Sequence, residues 1–223
     1  LRLLPVPSCK LYTSSCVVTG TTTKRPYEYR SLTSQERDET VNQRRQRGYP
    51  LHGPPHPYRE AGSYLITAAN YQHHPVIALP ERRSDFEYKL LSILESVKAE
   101  IIGWVVLPNH YHALVQVESF EMVSLALKSL HGSTSRAWNQ VDGLVGKRQV
   151  WYRYSDRMIR DENHFFRTLN YIHYNPVKHG YVGDVYAWVW SSIWMYLDNC
   201  GRDWLRENWI KYPPGEMGGD WDA

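Results

Sequence analysis

The sequence predicts an α+β domain, an antiparallel sheet with helices packed on one face. Three observations carry this. Apolar positions switch between strand and helix spacing in the order β-α-β-β-α-β-α from about residue 63 to residue 175. Two apolar stretches, Ile101 to Leu107 and His110 to Val117, are separated only by Pro108-Asn109, so they pair as a hairpin. No internal repeat replaces this plan with a stacked array.

Order begins near Ser63, and Tyr64 to Ala69 reads as the first strand. Beyond the turn signals at Pro75 and Pro80, Ser84 and Glu87 make a capping box. The helix that follows carries Phe86, Leu90, Ile93, Leu94 and Val97 at helical spacing. After the hairpin, Ser119 caps a helix whose buried stripe is Val123, Leu127, Leu130, Ala137 and Trp138, with Gly132 a point of irregularity. Val150 to Ile159 is read as a strand carrying Trp151, Tyr152 and Tyr154. Asp161 then caps a helix that Pro176 and Gly180 end near Asn175. The remainder is Trp-rich and less regular.

Residues 1–61 differ in kind. Thr21 to Glu60 is polar, holds Arg44-Arg45, and ends in Pro54, Pro55 and Pro57. It is expected to be an extended or partly disordered arm, with a short helix around Ser34 to Arg47. The expected division is an arm over 1–61, a catalytic domain over 62–197, and an acidic Trp-rich tail over 198–223.

Of the 223 residues, 42% are hydrophobic and 13% aromatic, which favours a folded chain over a disordered one. The net charge of +3 identifies no partner, but its distribution does more. Residues 128–160 hold seven basic residues (Lys128, Arg136, Lys147, Arg148, Arg153, Arg157, Arg160) against Asp142 and Asp156, a net of +5. From Asp198 onward three basic residues face six acids, a net of −3. A positive face of this kind displaces counterions from phosphates, and it would equally serve as a solvated surface. The odd count of three cysteines, without metal-ligand pairing, fits a reduced cytoplasm. The longest apolar run, Tyr186 to Leu197, is interrupted by Ser191 and Ser192 and is shorter than the ~20 residues that span a bilayer.

Chemistry concentrates in two segments. In Leu107-Pro108-Asn109-His110-Tyr111-His112, strand alternation points His110 and His112 the same way and Tyr111 the other. The two imidazoles can converge on one metal ion, or serve as two hydrogen-bonded core histidines. In Asn170-Tyr171-Ile172-His173-Tyr174-Asn175-Pro176-Val177, Phe165, Leu169 and Ile172 mark the apolar side of a helix. Tyr171 and Asn175, one turn apart, share the opposite, polar side with His164 and Arg167. A phenol with a pKa near ~10 is a poor nucleophile unaided. A cation held by the neighbouring amide oxygen would favour phenolate and offset charge on a phosphate.

Together these segments resemble the single-tyrosine HUH transposases, most closely the REP-associated tyrosine transposases of bacteria. The matching pieces are Gly103-Trp104-Val105-Val106-Leu107-Pro108-Asn109-His110-Tyr111-His112, Val150-Trp151 with Arg153, Tyr171-Ile172 with Asn175-Pro176-Val177-Lys178-His179-Gly180, and Trp190-Ser191-Ser192. The likeness runs from about Gly62 to Tyr196. It implies an HUH-endonuclease-like core of ferredoxin or RRM type. His110, His112 and Asn175 would be metal ligands for Mg²⁺ or Mn²⁺, although imidazoles also accept Zn²⁺. Tyr171 would be the nucleophile of a cleavage and rejoining reaction on single-stranded DNA through a 5′-phosphotyrosine. The implied partner is hairpin DNA of repeated extragenic palindromes, handled by a cytoplasmic monomer. Lys147, Arg148, Arg153, Arg157, Arg160 and Lys178 are candidate phosphate contacts. The competing reading is a domesticated hairpin-binding protein that no longer cuts. Two departures stand out: the arm before Gly62 has no counterpart, and Thr67-Ala68 replaces a more polar pair. Tyr174 is the rival nucleophile, and Tyr171 is preferred because it matches the motif and precedes Asn175 by one turn.

Overall fold

The computed structural model describes residues 61–146 and 148–215, together with Thr33, Gln35 and Glu39. The predicted arm, the cysteines at 9 and 16, Lys147 and the last residues of the tail lie outside that set; within the expected short helix, Gln35 and Glu39 are helical. The described residues from 61 to 215 belong to one compact unit.

Four strands, β1 (Gly62–Ala69), β2 (Glu100–Val106), β3 (His110–Val117) and β4 (Ser155–Met158), form one sheet in the order β2-β3-β1-β4. Every pairing is antiparallel. The β2–β3 hairpin closes over Pro108-Asn109, with Leu107 N donating to His110 O at 2.8 Å. The α+β class and the antiparallel sheet are as the sequence predicted.

Helices cover both faces of the sheet, which corrects the expectation of one covered face. Tyr64, Ile66 and Ala68 of β1 with Tyr111, Ala113 and Val115 of β3 enter one core. Leu65 and Leu114, between them in sequence, enter the other. Because β1 and β3 are apolar on both sides, neither face can be left in water. Helix α1 (Pro80–Ser96) brings Phe86, Leu90 and Leu94 to the first core, and α2 (Phe120–Val141) brings Val123, Leu127, Leu130 and Trp138. Helix α3 (Glu162–Lys178) brings Phe165, Leu169 and Ile172 to the second, and α4 (Ile193–Lys211) brings Ile193, Tyr196 and Leu205. Each such side chain contributes about 1.5–3 kcal/mol by leaving water.

Local signals were read with mixed success. Ser119 caps α2 by accepting from Glu121 N, and Gly132 leaves that helix unbroken. Asp161 caps α3, accepting from His164 N at 2.8 Å. The capping box at Ser84 and Glu87 is not one: α1 starts earlier, with Pro80 in its first turn and Leu79 as N-cap. Proline suits that position because its missing N–H would have no partner there anyway. Ser84 and Glu87 instead accept the indole N–H groups of Trp190 (2.9 Å) and Trp104 (2.7 Å). The expected strand from Val150 to Ile159 shrinks to Ser155–Met158, and Trp151 makes only an isolated bridge to Asn70. Trp151 is instead held by its own bulk, inside the first core against Phe86 and His131.

Helix α3 runs past Pro176 to Lys178. A proline in the last turn removes one hydrogen bond while the chain still closes, His179 N reaching Asn175 O at 3.0 Å. Gly180, at φ +70°, takes the left-handed turn that ends the helix. The tail expected to be less regular holds α4, which crosses residue 198 and breaks direction at Gly201 (φ +81°). Asn170 ties α3 to the end of α4, donating to Tyr212 O at 2.8 Å and Asn208 Oδ1 at 3.1 Å. Cys200 takes part in a disulfide, where the odd count had been read as fitting a reduced cytoplasm. Among the described residues no helix is long and apolar enough to cross a membrane.

The segment before α4 closes the edge of β2. Val106 N donates to Trp190 O (2.9 Å), Ser192 N to Trp104 O (3.0 Å), and the Trp188 indole to Val106 O (3.0 Å). A bulge between Ile101 and Gly103 turns Gly103 toward α3, where a Cβ would sit 2.7 Å from Leu169 Cδ1. The glycine therefore sets how closely α3 lies on the sheet.

Candidate active site

The antiparallel register places His112 opposite Thr67 and His110 opposite Ala69. Strand alternation then sends the two histidines toward α3 and Tyr111 to the other face, where its hydroxyl meets His131 Nε2 at 3.0 Å. This matches the orientation read from the sequence. Helix α3 crosses the histidine-bearing face. Tyr171 Oη stands 3.4 Å from His112 Nε2, and Asn175 Oδ1 stands 3.2 Å from His110 Nε2. Two segments about sixty residues apart thus meet as one cluster, with ring centroids 5.1 Å apart for His110 and His112 and 5.2 Å for His112 and Tyr171.

Tyr171 and Asn175 were expected on a polar helix face. Both are buried, at 1% and 0% exposure. The flank of α3 that carries Tyr171 and Asn175 is not solvated because it lies against the histidines of β3. The flank carrying Asn170 and His173 is closed by α4 and Ser192. Tyr174, the rival nucleophile, is 40% exposed, and its ring lies outside the buried cores.

Burial is the main cause that holds the His110 pKa down, to about 3, with the neighbouring His179 adding to it and the Asn175 contact opposing it. The His112 pKa is pushed well below the usual histidine range, again by burial first and then by His110. Both rings are therefore neutral at physiological pH, the state in which imidazole offers a lone pair. Their outer nitrogens are held: His112 Nδ1 by Thr67 Oγ1 at 2.8 Å, and His110 Nδ1 by Asn109 Oδ1 at 2.7 Å. Asn109 is itself oriented, its amide nitrogen donating to His73 O at 3.3 Å.

These contacts test whether the residues fit a metal. Asn109 Oδ1 is an acceptor, so His110 carries its proton on Nδ1 and turns a bare Nε2 toward Asn175 Oδ1. Two acceptors then face one another, while Asn175 Nδ2 is buried without a hydrogen-bond partner. A cation between the acceptors satisfies both. Without one, turning the amide through half a rotation puts Nδ2 on the imidazole lone pair. Two neutral nitrogens and an amide oxygen suit a divalent ion that keeps open positions. No group of three His, Cys, Asp or Glu gathers among the described residues.

The basic candidates separate. Lys178 Nζ lies 5.1 Å from the centroid of the Tyr171 ring, and burial lowers its pKa. Arg148 is engaged with Asp142 Oδ2 (2.7 Å) and Asn139 Oδ1 (2.8 Å), beside Arg82 on the same carboxylate. Arg153, Arg157 and Arg160 are exposed. Sequence reasoning missed the supporting residues. Asn109 was read only as a turn former, and Thr67 only as a departure from a pattern. His179, whose ring lies 5.0 Å from that of His110, was quoted in a motif without a role. The cross-strand register would have found Thr67, but register is not legible before the pairing is known.

No family model matches the chain. It is 28% identical over 172 residues to the "Putative REP-associated tyrosine transposase" of Haemophilus influenzae, covering 73% of this chain and 96% of that protein. It is 24% identical over 141 residues to the REP-associated tyrosine transposase of Escherichia coli K12, covering 61% and 79%. Among solved structures, a REP-associated tyrosine transposase bound to a REP hairpin superposes with a TM-score of 0.52 at 20% identity, over 67% of this chain and 88% of that one. The chain shares that fold, and its curated homologues carry the family name reached from the two motifs.

Proposed function

We propose that this homologue of the REP-associated tyrosine transposases cleaves and rejoins single-stranded DNA at hairpins of the repeated-palindrome type, with Tyr171 as nucleophile. The observation that carries the reading is the convergence of Tyr171 and Asn175 on His112 and His110, at 3.4 and 3.2 Å, from segments the sequence keeps far apart. In the reaction, Tyr171 Oη forms a bond to phosphorus as the bond to the 3′ oxygen breaks. The phenol proton is lost and the 3′ oxygen gains one, leaving a free 3′-hydroxyl and a 5′-phosphotyrosine. Attack by a second 3′-hydroxyl reverses the step, so the bond energy is kept and no nucleotide is hydrolysed.

His110, His112 and Asn175 would hold the Mg²⁺ or Mn²⁺. When bound, such an ion supplies positive charge to the phosphate and favours the phenolate. The protein's own share is positional. Thr67 and Asn109 fix the imidazoles, Leu169 and Ile172 fix the turn of α3 that presents Tyr171, and burial keeps bulk water off the phenol. Lys178, over the Tyr171 ring, adds positive charge where the phosphate arrives. We take the acting species to be a monomer in the cytoplasm, where the chromosome is.

The test is a denaturing gel of end-labelled single-stranded hairpin oligonucleotides incubated with Mg²⁺ or Mn²⁺. A protein-linked band that needs metal and disappears in Tyr171→Phe is expected. Hairpin binding without any adduct would favour the domesticated binder. Cleavage that survives Tyr171→Phe would overturn the mechanism.

A further inference from the structure

Beyond Ala69 the chain makes a short turn, Tyr71–His73, in which Gln72 and His73 both take φ of +53°. Left-handed backbone is uncommon in residues other than glycine, and two in succession persist only where the surroundings hold them. Here the holding is evident. Asn70 N donates to Asn109 O (2.7 Å), Tyr71 N to Val150 O (2.8 Å), Tyr152 N to Ala69 O (2.9 Å), and the Asn70 side chain to Val150 O (3.2 Å). The result is a rigid shelf carrying two tyrosines whose ring centroids lie 5.0 Å apart, with the His73 ring 6.1 Å from Tyr152. Neither tyrosine belongs to either hydrophobic core, and Tyr152 is 39% exposed. Tyr71 adjoins the left-handed pair Gln72-His73, and its ring and that of Tyr152 pack on each other outside both buried cores.

The shelf is coupled to the candidate active site. Asn109 accepts a hydrogen bond from His110 Nδ1 with its oxygen and donates to His73 O with its nitrogen, so one side chain joins the turn to the start of β3. Exposed Arg153 follows Tyr152 directly and provides positive charge for a backbone phosphate.

We propose that Tyr71 and Tyr152 form a stacking platform for an unpaired nucleobase of the DNA strand, next to the phosphate that Tyr171 attacks. This rests on the strand-transfer reading above. The exposed Tyr152 face, backed by half-buried Tyr71, takes any base because every base has a π-face, so the platform holds the single-stranded flank of a hairpin and not its paired stem. It would position the flank while the β3–α3 cluster does the chemistry.

The experiment measures binding of the full chain to two oligonucleotides, a hairpin with a single-stranded flank and the same hairpin made blunt, in wild type, Tyr152→Ala and Tyr152→Phe. A third probe carries abasic sites along the flank. The expected result is a loss of about 5- to 150-fold in affinity for the flanked hairpin in Tyr152→Ala. Tyr152→Phe should bind as wild type, and the blunt hairpin should bind all three proteins alike. The abasic flank should lower wild-type affinity and leave Tyr152→Ala without further loss. Equal binding of wild type and Tyr152→Ala to the flanked hairpin overturns the platform, as does an equal loss on the blunt one. Adduct formation by wild type in the same samples separates the two questions. An adduct together with an unaffected Tyr152→Ala removes the platform and leaves the nucleophile standing, whereas flank-dependent binding without an adduct removes the nucleophile and leaves the platform.

Discussion

Replacing Thr67 by valine removes one hydroxyl and almost nothing else. Valine has nearly the same volume and the same preference for a strand, so no cavity opens and β1 keeps its pairing. What is lost is the 2.8 Å bond from Thr67 Oγ1 to His112 Nδ1, between a residue at 8% exposure and one at 0%. Losing that buried hydrogen bond costs about 1–3 kcal/mol. The same bond holds the orientation of the His112 ring, so its loss should also weaken metal binding by about 10- to 100-fold. Urea denaturation in chelator reads the first effect and Mn²⁺ titration followed by electron paramagnetic resonance reads the second. Thr67→Ser keeps the hydroxyl and should retain most of both. A valine variant within about 0.5 kcal/mol of wild type, with unchanged Mn²⁺ affinity, would refute the role given to this bond.

Two further outcomes follow from the packing and the buried imidazoles. Gly103→Ala would put a Cβ 2.7 Å from Leu169 Cδ1 and 3.3 Å from Ser192 Oγ, pushing α3 off the sheet. A cost of about 1–3 kcal/mol in urea denaturation and slower adduct formation are expected, and Leu169→Ala should be less damaging in that background than alone. Acid should also destabilise the fold. His110 and His173 are held down to about 3 and His131 to about 4, chiefly by burial, so the unfolded chain binds protons that the native state refuses. Stability is complete above about pH 6.5 and falls as pH drops toward 3. One unit below 6.5, each ring costs on the order of 1.4 kcal/mol. Urea midpoints that stay level from about pH 7.5 to about pH 5.5 would contradict this.

Much of the fold and the heart of the site were legible in the sequence. The Pro108-Asn109 turn between two apolar runs fixed the hairpin. Alternation along His110-Tyr111-His112 gave the direction of three side chains, because a period of two leaves no choice. What escaped depends on contacts distant in sequence. The helix periodicity of α3 marked Phe165, Leu169 and Ile172 correctly, yet it assigned Tyr171 and Asn175 to a polar side, since a buried polar cluster and a solvated face look alike in one dimension. Ser84 and Glu87 have the spacing of a capping box but serve two indoles that arrive from residues 104 and 190. Helix α4 was missed because Gly201 and the scattered tryptophans break its pattern, although Asn208 and Tyr212 anchor it to Asn170.

The most direct measurement is where the DNA is attached. After reaction with a flanked hairpin oligonucleotide, trypsin cleavage after Arg167 and Lys178 releases residues 168–178, which contain both Tyr171 and Tyr174. Fragmentation of that peptide by mass spectrometry locates the nucleotide. A phosphodiester on Tyr171 is expected, since its hydroxyl stands 3.4 Å from His112 Nε2 inside the cluster. A nucleotide on Tyr174, or on a residue outside this peptide, would contradict the assignment of the nucleophile.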